Sequence, residues 1–141
     1  MRVDGENLAA TPIERILVRH PDIVGATVYA VPDPQVGDLP MAALELREGA
    51  TFDPEGFAAF LAEQADLGTK AAPRFVRIVE TLPVTATMKA IRKDLRREMW
   101  RTTDPTWWKA EKDSPYAPLT TDDIAAYEAR FARHGRAHII G

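Results

Sequence analysis

The chain has 141 residues, a formal net charge of −3 and no cysteine. That length suits one domain and leaves no room for a second large one. The missing cysteines exclude disulfides and thiolate chemistry and fit the cytoplasm, and the mildly acidic balance makes no demand for nucleic acid or an anionic membrane as partner.

Met1-Arg2-Val3-Asp4-Gly5-Glu6-Asn7 has no apolar signal region and reads as the interior of a longer protein. Asp4 to Asn7 is a turn signal. Thr11-Pro12-Ile13-Glu14 then predicts a helix start, with Thr11 as cap, Pro12 at the first helical position and Glu14 completing a capping box. Ile13, Ile16 and Leu17 form its buried stripe, and Pro21 ends it. Ile23 to Val31 reads as a strand, stopped by Pro32-Asp33-Pro34. A turn at Val36-Gly37-Asp38 leads to a second strand, Met41 to Leu46, close enough to pair antiparallel with the first.

Asp53-Pro54 opens a second helix with a cap and an N1 proline, an apolar face of Phe57, Phe60 and Leu61, and Gly68 as its end. Arg74 to Val79 is a third, short strand. The threonine-rich loop Thr85-Ala86-Thr87 feeds a basic helix from Lys89 to about Trp100. Residues 102–118 hold three prolines with Trp107, Trp108 and Tyr116 and read as an irregular arm anchored by aromatic side chains. Contact of that arm with a membrane or an acyl chain is the less favoured alternative. Thr120 or Thr121 caps a last helix with Ile124, Tyr127 and Phe131 on one side. The sum is an α+β domain with a small, mainly antiparallel sheet flanked by helices, followed by the arm and the helix.

Few residues can carry chemistry. His20, before Pro21, reads as a solvent-facing helix end. His134 and His138 have metal-ligand spacing only if a helix runs through Gly135, which glycine disfavours, so no metal site is expected. Asp122 and Asp123 read as first-turn carboxylates stabilised by the helix dipole. There is no glycine-rich phosphate loop and no serine nucleophile motif. What remains is Leu82-Pro83-Val84-Thr85-Ala86-Thr87-Met88-Lys89. A lysine at a helix start opposes the dipole, a local rule broken without visible structural gain. The free N–H groups of such a start favour anions. An ammonium about 4 Å from a phosphate oxygen is worth roughly 4 kcal/mol at an effective dielectric near 20. The bland reading is a solvated lysine among Arg92, Lys93, Arg96, Arg97 and Arg101. Physics alone favours that reading, since such clusters usually face water.

Three stretches shift the balance. Gly5-Glu6-Asn7 before Thr-Pro-Ile-Glu resembles the segment that opens the C-terminal domain of acyl-CoA synthetases. Val28-Tyr29-Ala30-Val31-Pro32-Asp33-Pro34 with Gly37 resembles their strand and turn. Pro73-Arg74-Phe75 followed by Leu82-Pro83-x-Thr85-x-Thr87-x-Lys89 resembles the approach to their adenylation lysine. Order and spacing agree over about residues 2–98, which identifies the chain as similar to the adenylate-forming superfamily. Met88, where many members carry glycine, and Tyr116-Ala117-Pro118-Leu119-Thr120-Thr121-Asp122-Asp123-Ile124 resemble the fatty acid transport protein and very-long-chain acyl-CoA synthetase branch. Methionine restricts the backbone that glycine would leave free, so regulation by acylation of the lysine in Gly-Lys relatives is not expected to carry over.

The resemblance implies that residues 1–101 are the mobile lid domain of a fatty acid–CoA ligase, with residues 102–141 an arm and helix on the same domain. It implies ATP, Mg2+, CoA and a fatty acid as reactants, bound mainly by a large N-terminal domain of the same protein. Lys89 would be catalytic in carboxylate adenylation, Thr85 and Thr87 would form the ATP-facing loop, and Gly5, Glu6 and Asn7 would meet the CoA side. Arg2 would lie near the hinge. A fragment of this length should be inactive alone. Two other readings stay open: a ligase domain that loads a carrier protein in place of CoA, and a non-catalytic module whose basic helix docks nucleic acid or an acidic protein. The net charge of −3 and the acidic Asp94 and Glu98 inside that helix speak against nucleic acid.

Overall fold

The computed structural model describes residues 10–34, 37–64, 72–82, 88–110 and 114–140. Its elements follow the order helix α1 (Ala10–Leu17), strands β1 (Ile23–Pro32) and β2 (Asp38–Leu46), helix α2 (Pro54–Ala62), strand β3 (Phe75–Val79), helix α3 (Met88–Glu98), strands β4 (Thr106–Trp108) and β5 (Ala117–Pro118), and helix α4 (Thr121–Arg133). A 3-10 turn spans Ala137–Ile139.

The strands lie in one sheet in the order β1-β2-β3-β4-β5. Three pairings are antiparallel, and β2 with β3 is parallel, joined by the crossover through α2. Because successive strand residues point to opposite faces, strands β1 to β4 each feed two cores. Val28, Ala42, Leu44 and Val76 meet Ile13, Ile16, Leu17, Phe57 and Leu61 of α1 and α2 on one face. Tyr29, Val31, Met41, Ala43 and Phe75 meet Ile91, Leu95, Trp100, Tyr127 and Phe131 on the other. The domain is an α+β layer structure with helices on both sides of the sheet.

Several local expectations are corrected. α1 begins at Ala10, so Thr11 and Pro12 lie inside its first turn. Glu14 does not serve as the capping-box partner expected of it; among the described residues its carboxylate meets Val28 and Arg92. Asp53 stands at the cap of α2, but its side chain makes no capping bond, and Pro54 at the first position carries the start. α2 ends at Ala62, and Gly68, its expected end, lies outside the described residues. α3 ends at Glu98, two residues short of the expected Trp100. Met99 then takes φ 52°, a left-handed turn that delivers Trp100 into the second core.

The arm is not irregular throughout. Trp107 pairs with Val76 and Trp108 with Phe75, so the sheet continues through β4, and β5 pairs with β4. Trp107 packs against Phe52 in the first core, while Trp108 stacks on Phe75 in the second. The Tyr116 hydroxyl donates to the Pro73 carbonyl. These two tryptophans serve as anchors, as aromatic side chains with one apolar face commonly do. A strand this short leaves no alternation to read in a proline-rich stretch. Thr120 caps α4 with a reciprocal capping box to Asp123. The helix stops before Gly135, whose φ of 70° favours glycine. His134 and His138 therefore do not share a helix face.

Candidate active site

Lys89 is the second residue of α3, in a first turn that contains no carboxylate. The loop before it, 83–87, lies outside the described residues, and so do Thr85, Thr87 and the segment Arg2, Gly5, Glu6 and Asn7. What the structure describes is how the loop's two ends are held.

On the incoming side, the Leu82 N–H donates to Glu45 Oε1 at 2.8 Å. The Leu82 side chain lies over Gly25, where an added Cβ would come within 3.2 Å of Leu82 Cδ1 and 3.8 Å of Glu45 Cβ. Gly25 sits at a register irregularity of β1 opposite Glu45. A glycine there lets the Leu82 side chain approach the sheet closely. On the outgoing side, Ile91 is buried and Leu95 nearly so, which seats α3 on Tyr29 and Met41 of the sheet. Arg92 donates from Nη2 to both Glu14 oxygens, at 2.8 and 2.9 Å, and from Nε to the Val28 carbonyl at 3.2 Å.

A further tie joins β3 to the end of α3 and the chain after it. Arg77 of β3 binds Glu98 of α3 and Asp104. Burial opposes its charge, but the bonds to Glu98 and Asp104 outweigh that and raise its pKa above the ordinary value. Trp100 Nε1 and Arg101 Nε both donate to Glu128 Oε2, at 2.7 and 2.9 Å. The Arg101 bond, aided by Trp100 and opposed by burial, holds the Glu128 carboxyl below the usual range.

Two clefts adjoin α3. One, of about 420 Å3, lies between the end of β3 and α3; Glu80, Asp94 and Asp104 surround Arg77 there. Its carboxylates disfavour a nucleotide triphosphate. The other, of about 500 Å3, has Lys93, Arg96, Arg97, Arg101 and His138 on its walls. Three of the six cations of the 89–101 stretch are committed to ion pairs: Arg92 with Glu14, Arg97 with Asp94 and Arg101 with Glu128. The basic helix is therefore partly an internal scaffold, which weakens it as a nucleic-acid face. His20 is a half-buried turn residue, not a solvent-facing end. Its Nδ1 accepts from the Asp22 N–H at 3.1 Å, and its ring meets Phe60 edge-on at 5.0 Å. Among the described residues no group of three or more His, Cys, Asp or Glu could hold a metal ion.

Sequence reading placed Lys89 at this position but missed Gly25, Glu45 and Leu82, and it assigned Glu14 and Arg92 to other roles. No local signal could have found them, because Glu45 and Leu82 are 37 residues apart and Glu14 and Arg92 are 78 apart.

Residues 12–89 match the family model of the AMP-binding enzyme C-terminal domain, and the match ends on Lys89. The chain is 48% identical over 141 residues to steroid-22-oyl-CoA synthetase of Rhodococcus jostii (strain RHA1), covering 99% of this chain and 25% of that protein. It is 53% identical over 107 residues to the medium/long-chain-fatty-acid–CoA ligase FadD17 of Mycobacterium tuberculosis (strain ATCC 25618 / H37Rv), covering 76% of this chain and 21% of that one. A crystal structure of a mutant form of coronafacic acid ligase from Pectobacterium brasiliense superposes with a TM-score of 0.54 at 25% identity, over 63% of this chain and 16% of that one. The chain thus spans about a quarter or less of the proteins it matches.

Proposed function

The chain belongs to the AMP-binding enzyme C-terminal domain family, and from that premise we propose that it is the mobile C-terminal domain of a fatty acid–CoA ligase, with Lys89 as its adenylation residue. The observation that carries this reading is the family match running up to Lys89 on the first turn of α3, a helix held on both sides of the preceding loop. We take residues 1–101 as the lid and 102–141 as an arm and helix packed on it, supported by the pairing of β4 with β3 and the contact of Tyr127 with Phe75.

The reaction has two steps. A carboxylate oxygen attacks the α-phosphorus of ATP, the bond to the β-phosphate breaks, and pyrophosphate leaves. The sulfur of CoA then attacks the acyl carbon of the adenylate, and AMP leaves with the bonding electrons. In the first step the Lys89 ammonium lies between the carboxylate and phosphate oxygens and stabilises the charge rearranging at phosphorus, without a covalent bond to the enzyme. Thr85 and Thr87 lie in the loop that faces the phosphates. Mg2+ accompanies ATP in the large N-terminal domain. In the second step the domain turns so that Gly5, Glu6 and Asn7 face the CoA side. This is rigid-body gating about a hinge. By itself the fragment lacks the ATP-binding domain and is inactive.

The acid is a fatty acid in this reading. The 48% likeness to a steroid-22-oyl-CoA synthetase favours a steroid side-chain carboxylate as the second reading. Among the described residues no helix is long and apolar enough to cross a membrane.

The test is Lys89→Ala in the full-length enzyme with the half-reactions assayed separately. Carboxylate-dependent ATP–pyrophosphate exchange should fall by about 10²–10³, while thioester formation from supplied acyl-adenylate falls far less. Undiminished exchange would remove the basis of the proposal.

A further inference from the structure

We propose that Glu14 and Arg92 form a positioning clasp that fixes the first turn of α3, and with it Lys89, for the adenylation step; this rests on the role of Lys89 argued above. β1 is the edge strand of the sheet. At Val28 its outward N–H donates to Glu14 Oε2 at 2.7 Å, and its outward carbonyl accepts from Arg92 Nε at 3.2 Å. Arg92 Nη2 in turn binds both Glu14 oxygens. The four groups close a ring, so the ion pair supplies the acceptor and donor that a further strand would have offered.

The ring joins three elements: α1 through Glu14, β1 through Val28 and α3 through Arg92. Arg92 lies three residues after Lys89, about 4.5 Å further along the helix axis at the usual rise per residue. In this part of α3, Ala90 is exposed, Ile91 is buried and Arg92 is half-buried. Leu95, and Glu98 through its bond to Arg77, hold the far end of the helix. Together with the buried Ile91, the clasp ties the start of α3 to the sheet. The ion-pair side chains are 20% and 12% exposed, shielded enough for their geometry to be set by the protein rather than by solvent. A guanidinium is needed because one planar fork must serve a carboxylate and a carbonyl together; an ammonium lacks that fixed geometry.

The same arrangement ties α1 to α3. α1 begins three residues after Asn7 in the sequence, and α3 carries Lys89.

The experiment uses the full-length enzyme with Arg92→Lys, Glu14→Gln and the pair combined. Arg92→Lys keeps the charge without the fork, and Glu14→Gln keeps an acceptor for the Val28 N–H. Each single variant should lower kcat of pyrophosphate exchange about 10- to 100-fold, the effect of a slightly misplaced catalytic group. KM for ATP and thioester formation from supplied acyl-adenylate should stay within about twofold of the parent. The combined variant should be no worse than the more impaired single one, because the two act as one unit. Amide hydrogen exchange should show lost protection at Val28, whose N–H the clasp holds, and at residues 92–95, whose N–H groups bond back to the first turn of α3, with α2 unchanged. Exchange activity within twofold of the parent in both single variants overturns the proposal. So does a parallel fall of both half-reactions with protection lost across the sheet, which marks a purely structural pair. If Lys89→Ala abolishes exchange and the clasp variants do not, the inference fails alone; if Lys89→Ala is silent, the proposed function fails first.

Discussion

Replacing Trp100 by alanine removes the centre of the aromatic cluster that joins α3 to α4. The side chain is 1% exposed. Its ring stacks on Phe75 at 5.6 Å, meets Tyr127 edge-on at 5.1 Å and lies 5.9 Å from Phe131. Truncating a buried tryptophan costs about 3–5 kcal/mol in lost transfer energy and residual cavity. The lost indole bond adds little, because Glu128 keeps Arg101 and its carboxylate is 25% exposed to water. Against a typical domain stability of about 5–15 kcal/mol, this is a large fraction of the total. Trp100→Phe keeps much of the ring contact and should cost about 1–2 kcal/mol. Urea unfolding followed by far-ultraviolet circular dichroism measures both. With a slope near 2 kcal/mol per molar, the alanine variant's midpoint should drop by about 2 M. A loss below about 1 kcal/mol at unchanged slope is outside the range for a packed aromatic and would refute the described union of α3, β3 and α4.

Thr120→Ala removes one half of the α4 capping box and should destabilise the chain by about 1 kcal/mol, read as a lower urea midpoint with early amide exchange in the first turn of α4. Stability should also fall at both pH extremes, for opposite reasons. The Glu128 carboxyl is held low by Arg101, so its contribution is complete above the ordinary carboxylate value of about 4.3 and is lost as pH falls through the lowered one. Burial raises the pKa of Tyr29, Tyr116 and Tyr127, so their contribution is complete below about pH 10 and is lost as pH rises through the raised values. Melting temperature against pH checks both limbs, and Glu128→Gln should flatten the acid limb alone.

Legibility differed by range of interaction. Strand β1 could be read because Val, Ile, Thr and Tyr crowd into one run, and α4 because a threonine cap precedes Ile124, Tyr127 and Phe131 on one side; that Asp123 closes a capping box with Thr120 came from the structure. Lys89 could be singled out because a cation at a helix start contradicts the dipole, a conflict visible within a few residues. Glu14 misled for the same reason: its spacing from Thr11 suited a local capping bond, but a distant arginine and an unpaired strand edge took the carboxylate instead. β4 escaped notice because three residues carry no period.

By itself the sequence determined which segments coil into helices or extend as strands, where most of them stop, and which lysine stands out from the rules of its own helix. Those properties arise from backbone sterics, capping and periodicity, all local. Only the tertiary structure decided that β2 and β3 run parallel, that the tryptophan arm extends the sheet, that Gly25 and Glu45 meet Leu82, and that Glu14 meets Arg92. Those depend on groups tens of residues apart meeting at a strand edge, and no short stretch of chain encodes which distant partner an unpaired N–H will find.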